Sequence, residues 1–196
     1  MKINLGCGND YREEWVNVDF NKEIKADEYI DLELPLPYED NSVDEVLLDN
    51  TLEHIKNIFP FLDELHRICK QNAIIEIYVP HFSGIYATKH LAHYYQFGIG
   101  SFDIFKEVSG LDKGFNGERY GKARFEVVEQ KLRWFHHKSA EHKSKEGFSW
   151  FFNINRVWQL ILEKFSCFKF DEIYFKLKVI KKLSKEVMGE WIIKNI

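Results

Sequence analysis

The sequence predicts an α/β domain built on a mostly parallel sheet. Short apolar segments alternate with turns and with one helical stretch between Met1 and Pro80, the pattern of strands joined by crossovers. The first of these segments runs straight into Gly6-Cys7-Gly8. The composition supports one packed core: 196 residues are 45% hydrophobic and 16% aromatic, with only 11 Gly and 4 Pro. A chain of that size buries a continuous core without disulfides or metals, and the aromatic content excludes a disordered polymer.

Met1–Leu5 reads as a buried strand, and Trp15–Phe20 as a second with Asp19 near its end. Glu28–Leu32 is a short third. Asp40-Asn41-Ser42 is turn chemistry before a fourth strand, Val43–Leu48, which ends at Asp49-Asn50. Phe59–Cys69 carries Phe61, Leu62, Leu65 and Ile68 at the three-and-four spacing of a helix packed on one face. Ala73–Val79 is a fifth strand. Beyond Pro80 the texture changes, and His81–Gly121 is rich in aromatics, histidine and glycine. Arg124–Phe135 reads as a strand, Trp150–Phe165 has helical spacing through Ile154, Val157, Ile161 and Leu162, and Ile173–Ile180 alternates as a strand near a sheet edge. No repeat and no linker divides the chain. It reads as one domain in which three stretches differ in texture: 1–80, 81–121 and 122–196.

Several classes fall away. No apolar run reaches the ~20 residues that span a bilayer, and the N-terminus has no signal-peptide pattern. Cys7, Cys69 and Cys167 are too scattered for a disulfide framework or a zinc knuckle, which points to a cytoplasmic protein with reduced thiols. Net charge is −4, yet residues 1–100 hold 8 Lys and Arg against 18 Asp and Glu, while residues 101–196 hold 19 against 13. Two ordinary solvated surfaces explain this more simply than a basic binding face.

The glycine turn and Asp19 carry the chemistry. Glycines let a backbone approach a nucleoside cofactor, and a carboxylate one strand over accepts hydrogen bonds from ribose hydroxyls. The dinucleotide fingerprint does not fit. Its third glycine position holds Tyr11, and Asp19 follows Gly6 by 13 residues where about 20 are usual. The ten residues Gly6–Trp15 leave room for little more than one helical turn, so a pyrophosphate cradle at a helix N-terminus is disfavoured. No Gly-Lys-Ser/Thr exists for a P-loop.

Taken together, Asn4-Leu5-Gly6-Cys7-Gly8-Asn9, Trp15-Val16-Asn17-Val18-Asp19, Asp31-Leu32, Leu34-Pro35-Leu36-Pro37-Tyr38-Glu39-Asp40-Asn41-Ser42-Val43-Asp44 and Leu52-Glu53-His54-Ile55 resemble the class I S-adenosylmethionine-dependent methyltransferases. The likeness is to the small bacterial and archaeal type whose chain starts at the first strand. It implies a Rossmann-like fold with a sheet of about seven strands, the last antiparallel, and an aromatic-rich lid over 81–121. It further implies S-adenosylmethionine as cofactor, held by the stretch 1–80. Leu5, Gly6, Cys7 and Gly8 would line its methionine end, Asp19 would bind the ribose, and Asp31 with the backbone of Leu32 would meet the adenine. Asp49 and Asn50 would face the methionine part and the substrate. The family's Leu-Lys-Pro-Gly-Gly turn before the fifth strand stands here as Cys69-Lys70-Gln71-Asn72-Ala73.

Ligands of open α/β sheets bind outside the carboxyl ends of the strands, which puts Val79-Pro80-His81-Phe82-Ser83 beside the transferred methyl. A His-Phe-Ser, then a loop histidine and a Ser-Phe, resembles the same group, with His93 as the loop histidine. His81 and His93 are the candidate general bases, and Tyr86 and Tyr94 the candidate substrate contacts. His90-x-x-His93 with His81 offers imidazoles to a metal, but no nearby cysteine or carboxylate completes a ligand set, so no metal is expected.

The basic run His136–Lys145 reads as a solvated loop, with phosphate or lipid-headgroup contact as the alternative. Lys181–Ile196, with Leu183, Val187 and Trp191 on one helical face, reads as packing on the sheet edge, with peripheral membrane or dimer contact as the alternative. The leading expectation is methyl transfer to a small-molecule acceptor, a sugar or glycoconjugate hydroxyl. The alternatives are a nucleic-acid methyltransferase using the basic half, or a non-catalytic S-adenosylmethionine-binding scaffold. Nucleic acid is the weaker partner, since Asp49-Asn50-Thr51 stands where base amino-methylation uses an Asp-Pro-Pro-Tyr signature.

Overall fold

In the computed structural model, which describes residues 1–105, 121–134, 149–165 and 169–181, one seven-stranded sheet runs in the order β3-β2-β1-β4-β5-β7-β6. Its strands are β1 (Lys2–Leu5), β2 (Val16–Asp19), β3 (Glu28–Tyr29), β4 (Val43–Asp49), β5 (Cys69–Pro80), β6 (Phe125–Arg133) and β7 (Glu172–Val179). The first five are parallel, and β7 lies antiparallel between β5 and β6. The helices are α1 (Ile58–Ile68), α2 (Ile85–Lys89), α3 (Ser149–Phe152) and α4 (Arg156–Phe165). The expected α/β class, the strand count and the antiparallel last strand all stand.

Register explains which side chains meet. Ile3 pairs with Val46 and Leu5 with Leu48, and these pair onward with Ile75 and Ile77, which face Leu177 and Phe175. That face is apolar and fully buried, and α1 lays Ile58, Phe61, Leu62, Leu65 and Ile68 on it. Phe152 of α3 and Leu162 of α4 join the same cluster. Aromatic rings fill the layer, with Phe102 set 4.8 Å from Phe175 and Phe105 5.6 Å from Phe125. Each such side chain contributes on the order of 1.5–3 kcal/mol when buried.

The opposite face carries cross-strand ion pairs beside Asn4, Leu47 and Tyr174. Lys2 meets Glu45 at 2.9 Å, Lys176 meets Glu76 at 3.4 Å, and Lys178 meets Glu126. Alternation of apolar and charged residues therefore decides which face collects the helices.

Three expectations change in detail. The segment Cys69–Ala73, expected as a turn, already belongs to β5. Without a Gly-Gly pair the chain leaves α1 in extended conformation at Cys69, and the step from Val43 to Glu45 along β4 is matched by the longer step from Cys69 to Ile74 along β5. The surplus is taken up as a bulge in which Asn72 adopts φ 67°, a left-handed conformation asparagine tolerates. The helical stretch Trp150–Phe165 breaks at Asn153-Ile154-Asn155. Asn153 accepts from Leu132 N–H at 2.8 Å and donates to its carbonyl at 3.0 Å, closing part of the β6 edge. Asn155 Oδ1 caps α4 by accepting from Trp158 N–H at 2.9 Å. Finally, the third strand is only Glu28–Tyr29, and Asp31-Leu32 lie in the turn beyond it. Phe135, the run His136–Lys145, Cys167 and the face formed by Leu183, Val187 and Trp191 lie outside the described residues. No helix among the described residues is long and apolar enough to cross a membrane.

Candidate active site

The carboxyl ends of β1, β2, β4 and β5 converge on one rim of the sheet. Chain leaves β1 through Gly6 and Gly8, both left-handed at φ 67° and 49°. A Cβ on Gly6 would collide with the Thr51 side chain, whereas a Cβ on Gly8 would meet nothing within 4 Å. Gly6 is thus held by close packing, and Gly8 opens onto free space. Cys7 between them is buried, its N–H donating to Val18 carbonyl at 2.9 Å. Burial and the neighbouring Asp19 carboxylate push its thiol pKa up.

Asp19 closes the turn from the other side. Its carboxylate accepts from Gly8 N–H and from Asn21 N–H, both at 2.9 Å. The side chain is nearly buried yet fully held by backbone donors, which leaves further oxygen lone pairs for hydroxyls. The short crossover 6–15 has no helix, and two buried asparagines supply its order instead. Asn4 donates to Asp10 carbonyl at 2.7 Å and to Asn17 Oδ1 at 3.2 Å. Asn17 in turn accepts from Arg12 N–H and donates to the Arg12 and Trp15 carbonyls. Both asparagines stand in the strand motifs of the sequence, but their role becomes visible only in three dimensions.

Asp31 is exposed and accepts from Glu33 N–H at 2.9 Å, and Leu32 packs half-buried against the core. At the end of β4, Asn50 adopts φ 51°, donates its side-chain amide to Asp49 Oδ1 at 2.8 Å and its backbone N–H to Tyr78 carbonyl. Thr51 Oγ1 donates back to Leu5 carbonyl at 3.1 Å, locking β4's exit against the glycine turn. The predicted cofactor residues Leu5–Gly8, Asp19, Asp49 and Asn50 are therefore joined in one hydrogen-bonded rim.

The two candidate histidines are placed very differently. His81 is completely buried between Phe82 and Phe170, and both ring nitrogens are engaged. Its Nδ1 accepts from Ser83, whose Oγ is itself the acceptor for Phe170 N–H. That assigns the proton to Nε2, which donates to Glu163 Oε1 at 2.8 Å. Glu163 also accepts from Ile99 N–H at 2.6 Å, so this pair ties α4 to the segment after β5.

His93 is half-buried and stands against the 3-10 turn Leu52–His54, with its ring edge-on to His54 at 4.7 Å. Its Nδ1 is shielded and has no hydrogen-bond partner. Burial followed by the neighbouring His54 lowers its pKa, against a smaller opposing pull from the Ala87 and Tyr86 backbone. Tyr94 N–H donates to Glu53 carbonyl at 2.8 Å, and Tyr95 hydroxyl donates to Lys56 carbonyl at 2.9 Å, fastening the two segments. Glu53 is 1% exposed. Its pKa is pushed up to about 8, chiefly by burial and then by Asp49 and Glu172. Thr51, Glu53, His54 and Glu163 stand at this rim or against its histidines, and the sequence alone assigns them no role. Membership of the Leu52–Ile55 motif was the single signal for Glu53 and His54. Tyr86 and Tyr94 are both exposed, beside Lys89 and Lys56 respectively.

Residues 4–77 match the family described as methyltransferase domain. Over that stretch the chain is similar to the S-adenosylmethionine-dependent methyltransferases. This carries the enzyme class and the cofactor, S-adenosylmethionine. No curated protein matches the methyltransferase's sequence. Among solved structures it is similar to the YcgJ protein of Bacillus subtilis, at 11% identity and TM-score 0.53 over 93% of this chain and 92% of that one. It is similar to an S-adenosylmethionine-dependent methyltransferase from Mesorhizobium loti, at 11% identity and TM-score 0.50 over 90% and 89%. A third likeness is to phosphoethanolamine N-methyltransferase 2 of Haemonchus contortus, solved with S-adenosyl-L-methionine, at 13% identity and TM-score 0.52 over 92% of this chain and 48% of that one. At these identities the likeness is one of fold.

Proposed function

We propose that this methyltransferase methylates a hydroxyl of a small molecule, a sugar or glycoconjugate, at the rim formed by β1, β2, β4 and β5. The observation that carries the cofactor assignment is the open, left-handed Gly8 beside an Asp19 carboxylate that Gly8 itself holds. Leu5, Gly6, Cys7 and Gly8 offer backbone to the methionine end, and Asp19 has acceptor capacity for two ribose hydroxyls. Asp31 and Leu32 flank the adenine, and Asp49 and Asn50 stand between cofactor and acceptor. These residues fit the group because the turn is bare of side chains where a ligand must approach.

When bound, S-adenosylmethionine supplies an electrophilic methyl on a sulfonium, which an acceptor oxygen takes by in-line displacement. The protein's part is to position that oxygen, exclude water and dispose of its proton. His93, whose Nδ1 is shielded and has no hydrogen-bond partner, stands on the loop of the proposed acceptor side. His81, with both nitrogens engaged, serves as a positioning residue for the segment after β5. Tyr86 and Tyr94 present exposed rings to a sugar or planar acceptor.

Calorimetry tests the cofactor assignment. S-adenosylmethionine and S-adenosylhomocysteine should bind saturably and NAD should not, and Asp19→Ala should weaken both adenosyl ligands at least tenfold. Absence of adenosyl binding by folded wild type removes the proposal. A sugar panel scored by S-adenosylhomocysteine formation then tests the acceptor class.

A further inference from the structure

From the geometry around the turn after β4 we propose that Glu53, His54 and His93 form a divalent-cation site whose open position takes the acceptor oxygen. One donor atom from each of the three lies within 4.8 Å of the other two. Glu53 Oε2 is buried with no hydrogen-bond partner, in a side chain that is itself almost entirely enclosed. A buried carboxylate oxygen left without a donor is costly unless something positive meets it. His93 Nδ1 is likewise shielded and without a partner. His54 Nδ1 lies 3.1 Å from Ala92 carbonyl, which can only accept, so the ring proton sits on Nδ1 and the Nε2 lone pair is free. Fixing one imidazole nitrogen by a backbone carbonyl, which leaves the other for an ion, is how proteins orient metal-ligating histidines.

The cluster differs from the one the spacing suggests. His81 is spent on Glu163, and His90 approaches His93 at 5.4 Å between ring centroids without joining the donor set. The carboxylate that local spacing does not supply comes from Glu53, far upstream of His93 in the chain, and the Tyr94 N–H to Glu53 carbonyl bond holds it against the loop. Asp49 and Glu172 add negative potential at Glu53, with the Arg133 guanidinium on the far side of Glu172 at 3.9 Å.

Two imidazoles and one carboxylate suit Zn²⁺, Mn²⁺, Co²⁺ or Fe²⁺, and three protein ligands leave a coordination position open, as in catalytic rather than structural sites. Bonds of about 2.0–2.2 Å put tetrahedral ligand atoms roughly 3.4 Å apart, so the donors draw together by on the order of 1 Å on binding. His54 is exposed and His93 half-exposed, so both have room to move.

The chemical role rests on the methyl-transfer reading above. A hydroxyl on the open position is acidified by the cation and loses its proton to solvent. Its oxygen then forms the bond to the methyl carbon as the methyl–sulfur bond breaks, and that bonding pair stays on sulfur.

The test titrates Zn²⁺ and Mn²⁺ separately into the metal-stripped full chain without cofactor, for wild type, Glu53→Gln, His54→Ala and His93→Ala. S-adenosylhomocysteine is titrated into each in parallel. Saturable binding at one ion per chain for at least one of the two metals, weakened tenfold or more by each substitution with adenosyl affinity kept, is the expected result. Co²⁺ loaded in their place should show visible absorption bands in wild type that His93→Ala alters. No saturable binding in wild type, or binding that survives Glu53→Gln and His93→Ala, overturns the site. If Glu53→Gln does not fold, His54→Ala and His93→Ala decide alone. Failure of adenosyl binding with cation binding intact would strike the methyl-transfer reading and leave the cation site standing.

Discussion

The cofactor side and the acceptor side of the rim are built on opposite principles. On the cofactor side the groups that matter are backbone: two left-handed glycines, and the Gly8 and Asn21 amides that seat Asp19. The side chains there, Asn4, Asn17 and Thr51, support that backbone rather than reach out from it. On the proposed acceptor side the groups are side chains, carried by segments distant in sequence: Glu53 and His54 after β4, His93 beyond α2, and Glu163 of α4 against His81. A backbone pocket tolerates substitution almost nowhere on its strand exits. A side-chain pocket can be re-specified by a few changes in the covering segment.

The largest effect should come from the backbone half. Gly6→Ala places a methyl against Thr51 and asks a side-chain-bearing residue to hold φ 67°. Overpacking costs about 1–3 kcal/mol and the left-handed conformation about 1–2 kcal/mol more. Denaturant unfolding should show a loss of about 2–5 kcal/mol, and S-adenosylhomocysteine binding should vanish. The double variant Gly6→Ala with Thr51→Ala should recover part of the steric loss and none of the conformational one. Full recovery would mean that φ at Gly6 does not matter, which would break the contrast.

Next is His81→Phe, which tests whether this residue belongs with the struts or with the reacting groups. Phenylalanine fills the aromatic slot but leaves the partly buried Glu163 without its imidazole donor. Removing one partner of such a pair costs about 3–5 kcal/mol when fully buried, and Glu163 keeps the Ile99 amide, so about 2–3 kcal/mol is expected in unfolding free energy. Unchanged stability with abolished turnover would instead make His81 a reacting base.

The same contrast explains what was legible in the sequence. Gly6, Gly8 and Asp19 lie close together in the chain and their types are dictated by local backbone geometry, so the motif could be read directly. The strands were equally legible because alternation and burial coincide, as along Ile75, Ile77 and Val79. The break at Asn153–Asn155 was not, since helical spacing continues across it and only contact with Leu132 on β6 shows why the chain turns. Glu53 sits in a recognisable motif, yet the motif gives it no task. A carboxylate beside a histidine in a polar turn is usually solvated, and the segment that bonds to this one, at Tyr94, comes much later in the chain. His81 drew attention for its place after β5, yet its partner is 82 residues away and no spacing rule could have supplied it.

The smallest prediction addresses how firmly that later loop is held. Tyr95→Phe deletes one hydroxyl, the donor to Lys56 carbonyl, and leaves the half-buried ring packed on the core. A part-exposed hydrogen bond of this kind is worth about 0.5–1 kcal/mol net. Because the Tyr94 amide bonds to Glu53 in the same contact, the loss should appear there first, as local opening rather than global unfolding. Amide hydrogen exchange over residues 90–96 should quicken roughly two- to fivefold, with exchange in β1 and β4 unchanged. If the two regions quickened together, the acceptor side would be part of the rigid rim rather than a separate layer laid on it. Its side chains would then be held as tightly as the glycine turn, and re-specifying the acceptor would need changes in the sheet itself.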